Sequence, residues 1–300
     1  MIDNSEFLLT IVIPVHNMAG NLDNLKNSVS GGTNNRVKYI IVEDSSDDST
    51  YMELQEIIKK NVNIHIQLVS GNFRSPGIAR NIGLEKVDTP YMMFVDSDDK
   101  FYISEIEDAI NLISPDTEVL IGAYKQTMYG TNSTKIINPC MPLHLHLSMN
   151  PGIWRMIFKT SVVRDVRFKK YQMAEDQLWL SHIHILEKRV ELTRSILYEY
   201  FAKNKYSLTS NLSAKEDLKP VLLEFRHLIM EESSSDPRLL YTAFTKIWIT
   251  SLLHSRTSKH SVELLCIYIR QIARKPKLFI YTWIILIETV RRRKNKYVED

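Results

Sequence analysis

Five short apolar runs rich in β-branched residues recur in the first half of the chain: Leu8 to Val15, Tyr39 to Val42, Ile64 to Val69, Tyr91 to Val95 and Val119 to Tyr124. Runs of this kind read as strands covered on both faces. Between them the apolar residues switch to helical spacing, at Leu22, Leu25 and Val29, at Leu54, Ile57 and Ile58, at Ile78 and Ile82, and at Ile106, Ile110 and Ile113. Start signals stand where those helices should open. Thr50 to Glu53 and Ser104 to Glu107 fit capping boxes, and Ser75-Pro76 puts a cap residue ahead of a proline suited to a first turn. So regular an alternation predicts βαβ units and an α/β domain whose mostly parallel sheet carries helices on both faces.

In such sheets ligands sit beyond the carboxyl ends of the strands. The first strand ends in Pro14-Val15-His16-Asn17, the second in Glu43-Asp44-Ser45-Ser46-Asp47-Asp48, the third in Ser70-Gly71-Asn72-Phe73-Arg74 and the fourth in Asp96-Ser97-Asp98-Asp99. Carboxylates this close repel and lose solvation unless a cation or firm hydrogen bonds hold them. An all-oxygen set suits a hard divalent ion, Mg²⁺ or Mn²⁺, completed by water and substrate phosphate. A polar turn is the plain alternative, since Asp and Ser are common turn formers. No G-x-G-x-x-G follows the first strand and no G-x-x-x-x-G-K-[ST] occurs, so a nucleotide bound here needs its phosphates neutralised by a metal.

With 44% hydrophobic and 24% charged residues the 300-residue chain is globular and large enough for more than one domain. Disorder is excluded as the main character, and a net charge of +3 does not by itself call for nucleic acid. Cys140 and Cys266 lack metal-ligand spacing and are expected as buried thiols in a reducing compartment. Met1 to Glu6 has no basic region ahead of an apolar one, which predicts a cytoplasmic protein.

Five motifs in order resemble family 2 of the inverting nucleotide-sugar glycosyltransferases, enzymes of the GT-A fold, over roughly residues 8 to 205. Thr10 to Asn17 looks like that family's first strand, and Ile41 to Thr50 like its second strand and loop. Ala79-Arg80-Asn81-Ile82-Gly83 is similar to its helix beside the donor phosphates, Asp96-Ser97-Asp98 to its D-x-D, and Met173 to Leu180 to its later Glu-Asp segment. His16 stands where tyrosine is usual, Glu43 where aspartate is usual, and Ser45 and Ser49 replace loop glycines, which narrows the turn's access to positive φ.

The resemblance implies a donor site built from Pro14, His16, Asn17, Asp44, Arg80, Asn81 and Asp96, with Glu175 beside it and Trp154 on the acceptor side. It implies Mn²⁺ or Mg²⁺ at Asp98 and Asp96, and Asp176 as the general base that takes the acceptor's proton. The partners are then a nucleotide sugar and a glycan or lipid-linked acceptor, with no nucleic acid. A helix-terminal carboxylate favoured by the dipole is the plainer role for Asp176, a solvated helix face for Arg80, and a core position for Trp154. His144 with His146 and His182 with His184 offer H-x-H pairs; the first is expected to line the acceptor cleft or a strand surface, the second to point apart on a helix.

The expected division is a nucleotide-sugar-binding half over 1–125, an acceptor half of the same domain over 126–205, its end marked by the Tyr-rich run from Tyr198 to Ser210, and a C-terminal helical extension over 206–300. From residue 265 onward nine Lys or Arg face three Asp or Glu. Leu278 to Val290 is short of the ~20 apolar residues a span needs, and Arg291-Arg292-Arg293-Lys294-Asn295-Lys296 follows it. Residues 278–296 therefore read either as a packed helix with a solvated basic tail or as a peripheral contact with an anionic membrane surface. Two other functions fit parts of the pattern: a nucleotide-sugar-binding module without turnover, and a lipid or nucleic-acid adaptor working through the basic end.

Overall fold

The structure, a computed structural model, describes residues 7–31, 36–131, 133–171, 173–202, 218–231, 234–255 and 257–296. Its strands are β1 Leu9–Val15, β2 Val37–Asp44, β3 Ile66–Gly71, β4 Tyr91–Phe94, β5 Lys100–Phe101, β6 Val119–Met128, β7 Thr134–Ile137, β8 Met156–Lys159 and β9 Val190–Ala202. They form one nine-stranded sheet in the order β3-β2-β1-β4-β8-β6-β9-β5, with β7 paired to β6. Neighbours in the first four places are parallel, and Leu9 sits between Val37 on one side and Tyr91 on the other. Past β4 the sheet changes character. β8 is antiparallel to both β4 and β6, β9 runs parallel to β6, and β5 pairs antiparallel with β9.

Strands β1 and β2 are buried along their whole length, as continuous apolar runs require. Full burial of Ile11, Ile13, Ile41, Met93 or Phe94 is worth roughly 1.5–3 kcal/mol each. Helix α1 spans Asp23–Ser30, α2 Thr50–Lys60, α3 Pro76–Glu85 and α4 Ile103–Leu112. Ser75 caps α3, its hydroxyl accepting from the Ile78 N–H, and Pro76 opens the first turn as its spacing predicts. Helix α3 packs on β1 and β2. Gly83 permits that approach, because a Cβ there would collide with Val12 Cγ1.

The two capping boxes take other forms. The Asp48 carboxylate, not Glu53, accepts the Thr50 N–H at 2.9 Å, while Glu53 reaches across to the Gly20 N–H at 3.1 Å. Helix α4 starts at Ile103 with no side-chain cap, so Ser104 lies inside it.

The chain divides into two compact units, one of residues 1–140 with 152–210, the other of 141–151 with 211–300. The second unit holds α5 Leu143–Met149, α8 Lys219–Glu231, α9 Arg238–Leu253, α10 Ser258–Arg274 and α11 Leu278–Lys296; the first also holds α6 Thr160–Val163 and α7 Glu175–His182. Helix α5 packs on α9, where Ser148 Oγ donates to Thr242 Oγ1 at 2.5 Å. Trp248 on α9 stacks on Tyr268 of α10 with ring centroids 3.9 Å apart.

Several expectations are corrected by this arrangement. His144 and His146 lie on α5 and are buried within the helical unit, so they form neither a strand surface nor a paired metal site. Among the described residues no group of three His, Cys, Asp or Glu is placed to hold a metal by itself. Cys140 and Cys266 are exposed, not buried. The Tyr-rich run is described only as far as Ala202, and Lys203 to Ser210 lie outside the described residues. No described helix is long and apolar enough to cross a membrane.

Candidate functional site

The loops after β1 and β2 are tied together before any ligand is considered. The Asn17 N–H donates to Ser46 Oγ and its side-chain oxygen accepts from the Asp47 N–H, both at 3.0 Å. Met18 N–H donates to Thr50 Oγ1 at 2.7 Å, and Ala19 N–H to Asp48 at 3.2 Å. Asn17 and Ser45 both sit at positive φ, 48° and 47°. Ser45 thus takes the left-handed conformation that a glycine would adopt more cheaply.

His16 is exposed at the tip of this corner. Its Nδ1 donates to the Asp44 carbonyl oxygen at 2.7 Å, which leaves Nε2 as the acceptor of the neutral ring. Pro14 is buried inside β1, opposite Val42. The Asp44 carboxylate is engaged by main chain: one oxygen accepts from Phe73 and Arg74 N–H at 2.6 and 2.8 Å, the other from Ser75 N–H at 3.1 Å. A carboxylate offers about four acceptor positions, so Asp44 fixes the turn into α3 and retains capacity for one further donor.

Arg80, on α3, joins the two distant acidic segments. Its Nη2 lies 2.7 Å from Asp96, its Nη1 3.2 Å from Glu175 and 3.8 Å from Asp176, and its side chain is only 5% exposed. The guanidinium sits over the Phe168 ring at 5.5 Å. Phe168 in turn stacks on Trp179 at 4.7 Å, with Phe94 edge-on to both. Asn81 engages the Phe168 backbone with both ends of its amide, donating to the carbonyl at 2.9 Å and accepting from the N–H at 2.8 Å. That clamp holds the aromatic floor in place under Arg80.

The acid loop is anchored from β9, a connection that spacing alone does not reveal. Tyr198 OH donates to Asp99 at 2.9 Å and accepts from the Asp96 N–H at 3.2 Å, while the other Asp99 oxygen accepts from Phe201 N–H at 2.8 Å. Asp99 is therefore an internal anchor, whereas Asp96 and Asp98 are only partly buried. Trp154 stacks on Tyr198 and Tyr200 at 4.3 and 5.7 Å and meets Tyr124 edge-on at 4.8 Å. Half-buried, it belongs to the wall behind the acid loop. Gly152 is needed beside it, since a Cβ there would collide with the indole. One residue away, the Ile153 backbone hydrogen-bonds Asp176.

Glu175 and Asp176 open α7, where the helix dipole favours negative charge. Burial works against it. Burial, with Glu175 and Asp96 adding repulsion, pushes Asp176 up to about 8 even though Arg80 opposes the shift. Burial likewise raises Glu175, and burial followed by the Asp96 charge raises Asp98 to about 6. For all three the positive charge that opposes the shift is Arg80's. Asp176 Oδ1 and Arg80 Nε are buried without hydrogen-bond partners. The carboxylates of Asp96 and Asp98 are hard oxygen donors of the kind that suit a divalent cation completing its shell with diphosphate and water.

The chain is similar to several known proteins. A model of the domain described as Glycosyl transferase family 2 matches residues 10–185. The chain is 22% identical over 246 residues to the poly(ribitol-phosphate) beta-N-acetylglucosaminyltransferase TarS of Staphylococcus aureus, a match covering 76% of this chain and 42% of that one. It therefore spans well under half the length of that relative. It is 25% identical over 211 residues to an uncharacterized glycosyltransferase of Haemophilus influenzae, covering 68% and 82% of the two chains. Among solved structures, residues 1–349 of S. aureus TarS in complex with UDP-GlcNAc align with a TM-score of 0.67 at 18% identity, over 95% of this chain and 92% of that one. A mannosyltransferase of Pyrobaculum calidifontis in complex with GDP-Man and Mn²⁺ aligns with a TM-score of 0.56 at 13% identity, over 97% and 88%. The fold is accordingly the expected α/β arrangement of GT-A glycosyltransferases with C-terminal helices. Because the matched segment runs unbroken from β1 past the helix that carries Asp176, this chain belongs to glycosyl transferase family 2.

Proposed function

We propose that the protein transfers a sugar from a UDP-type nucleotide sugar to a hydroxyl of a glycan or lipid-linked acceptor, with inversion at the anomeric carbon. The observation that carries this reading is the Arg80 bridge, which brings the acid loop of β4 within one side chain of Glu175 and Asp176. Departure of a nucleoside diphosphate and loss of a proton from a weakly acidic alcohol need two separate groups near one carbon. In this proposal Asp98 and Asp96 hold Mn²⁺ or Mg²⁺, which stabilises the leaving diphosphate by several kcal/mol when bound. Asp176 accepts the acceptor's proton, a role typically worth ~10²- to 10⁴-fold, and Glu175 and Arg80 keep it in place.

Inversion requires the acceptor to attack from the face opposite the diphosphate, so in this proposal Asp176 serves the acceptor side of the anomeric carbon while the acid loop takes the leaving group on the other. In this proposal the corner of His16, Asn17 and Asp44 takes the nucleoside in a donor half, residues 1–125, and Trp154 serves the acceptor in the half that follows, residues 126–205. TarS and the other relatives named for poly(ribitol-phosphate) support a polyol-phosphate or related polysaccharide acceptor.

A thermal-shift panel of UDP and GDP with and without Mn²⁺ tests donor and cation together, since a ligand that binds only the native state raises stability by RT ln(1 + [L]/Kd). Asp98→Ala is expected to abolish the cation-dependent shift with UDP. Asp176→Asn is expected to keep that shift and lose transfer by at least ~10²-fold. In the intact enzyme turnover should rise with pH through a midpoint at or below about 8, the value burial gives Asp176, because the base works only when ionised. Normal turnover by the Asn variant would remove Asp176 from its role, and UDP binding with no UDP released to any acceptor would leave a binding module.

A further inference from the structure

Helix α11 is turned the wrong way for a solvated helix. Leu278, Thr282 and Ile285 face inward, while Phe279, Ile280, Trp283, Leu286, Ile287 and Val290 are each 37–64% exposed. At 100° per residue these six fall on one continuous side, with no polar residue among them. Thr282 and Thr289 fall instead on the side of Leu278 and Ile285, to whose carbonyls they donate. Such a contiguous apolar surface signals something that covers it.

Charge decides what the cover is. Lys277 precedes the apolar side, Arg291 closes it, both are exposed, and the sequence continues Arg292, Arg293, Lys294 and Lys296. Both ends are therefore basic. A second copy laid against this side, parallel or antiparallel, would bring cation against cation at each end. A layer of anionic headgroups complements both ends at once, and Trp283 and Phe279 are residue types that settle at the boundary between headgroups and acyl chains. The helix is not one that could cross a bilayer. We propose that α11 lies in the plane of an anionic membrane surface, its Phe279–Val290 side among the acyl chains and its two basic ends on the headgroups.

Co-sedimentation of the full chain with phosphatidylglycerol-containing and with pure phosphatidylcholine vesicles tests this. Binding to the anionic vesicles is expected, weakened by salt, with removal of one charge in Lys277→Gln or Arg291→Gln reducing it about fivefold. The exposed pair Trp283→Ser with Ile287→Ser should reduce it on the order of tenfold or more, with an unchanged circular dichroism melt. If that pair fails to fold, bromine-labelled lipid decides on the unaltered protein. Trp283 is the exposed tryptophan, Trp154, Trp179 and Trp248 being buried or half-buried, so strong quenching supports the proposal and its absence refutes it. Equal binding to neutral vesicles would overturn the headgroup assignment. No vesicle binding, together with a dimer in sedimentation velocity that the serine pair breaks, would assign the surface to a second copy; no binding and no dimer would overturn the proposal outright.

Discussion

A guanidinium fixed among three acids, one from the loop after β4 and two from the start of α7, makes Arg80 the residue on which the site's electrostatics turn. Its charge does not fully compensate them, and Asp176 is left with a carboxyl held near 8 by burial. In the folded protein this group binds its proton more tightly than in the unfolded chain. Between the ordinary carboxylate range and about 8, ligand-free stability therefore falls as pH rises. Asp176→Asn removes that penalty, and thermal melts of ligand-free protein above pH 8 are expected to show a gain of about 1–3 kcal/mol, the usual cost of an unsatisfied buried polar group. Tyr198→Phe acts oppositely. It deletes the hydroxyl that holds Asp99 and the Asp96 N–H, and denaturant titration should register a loss of about 1.5–3 kcal/mol together with weaker cation-dependent UDP binding. The D-x-D and the Glu-Asp pair were legible as motifs. Tyr198 was not, because its partners lie 102 and 99 positions away and nothing local marks a tyrosine hydroxyl as a support.

At the scale of elements, legibility followed burial. Strands β1, β2 and β4 carry the apolar runs Ile11 to Val15, Tyr39 to Val42 and Tyr91 to Phe94 and could be read directly. β8 offers four residues and β5 two, too short for any period to show. In β9, residues such as Glu191, Arg194 and Glu199 interrupt an apolar pattern that only partner strands complete. Glu199 is buried there because Tyr102 and Thr127 donate to it at 2.5 and 2.6 Å, with Lys125 3.1 Å away. The capping boxes misled for a related reason: at α2 the side chains that should cap the helix are used on the neighbouring loop, where Thr50 and Glu53 accept from Met18 and Gly20. The fit of α3 against the sheet carries its own prediction. Gly83→Ala forces the helix off Val12 and is expected to cost about 1–3 kcal/mol in denaturant unfolding. Combined with Val12→Ala the costs should fall short of their sum by at least ~0.5 kcal/mol, the mark of direct contact.

For the molecule as a whole, the division into two units departs from chain order. Residues 141–151 leave the first unit, contribute α5 to the second, and return at Gly152 in time to build the turn that supports Asp176. Sequence pattern could not show this, since a seven-residue helix bounded by prolines on either side carries no signal of which neighbour it seeks. A chain truncated after Ser210 would retain α5 but lose α9, leaving Leu143 and Leu147 without the helix they pack on and Ser148 without Thr242. Such a truncation is expected to bind hydrophobic dyes and to melt at lower temperature than the full chain.

The same excursion sets a clock during synthesis. A ribosome adding ~5–20 residues per second needs about 5–20 s to pass from the end of α5 to the middle of α9. Over that interval the nascent chain displays the greasy side of a helix whose mate has not yet been translated, and a holdase or a slow stretch of codons has its greatest leverage there.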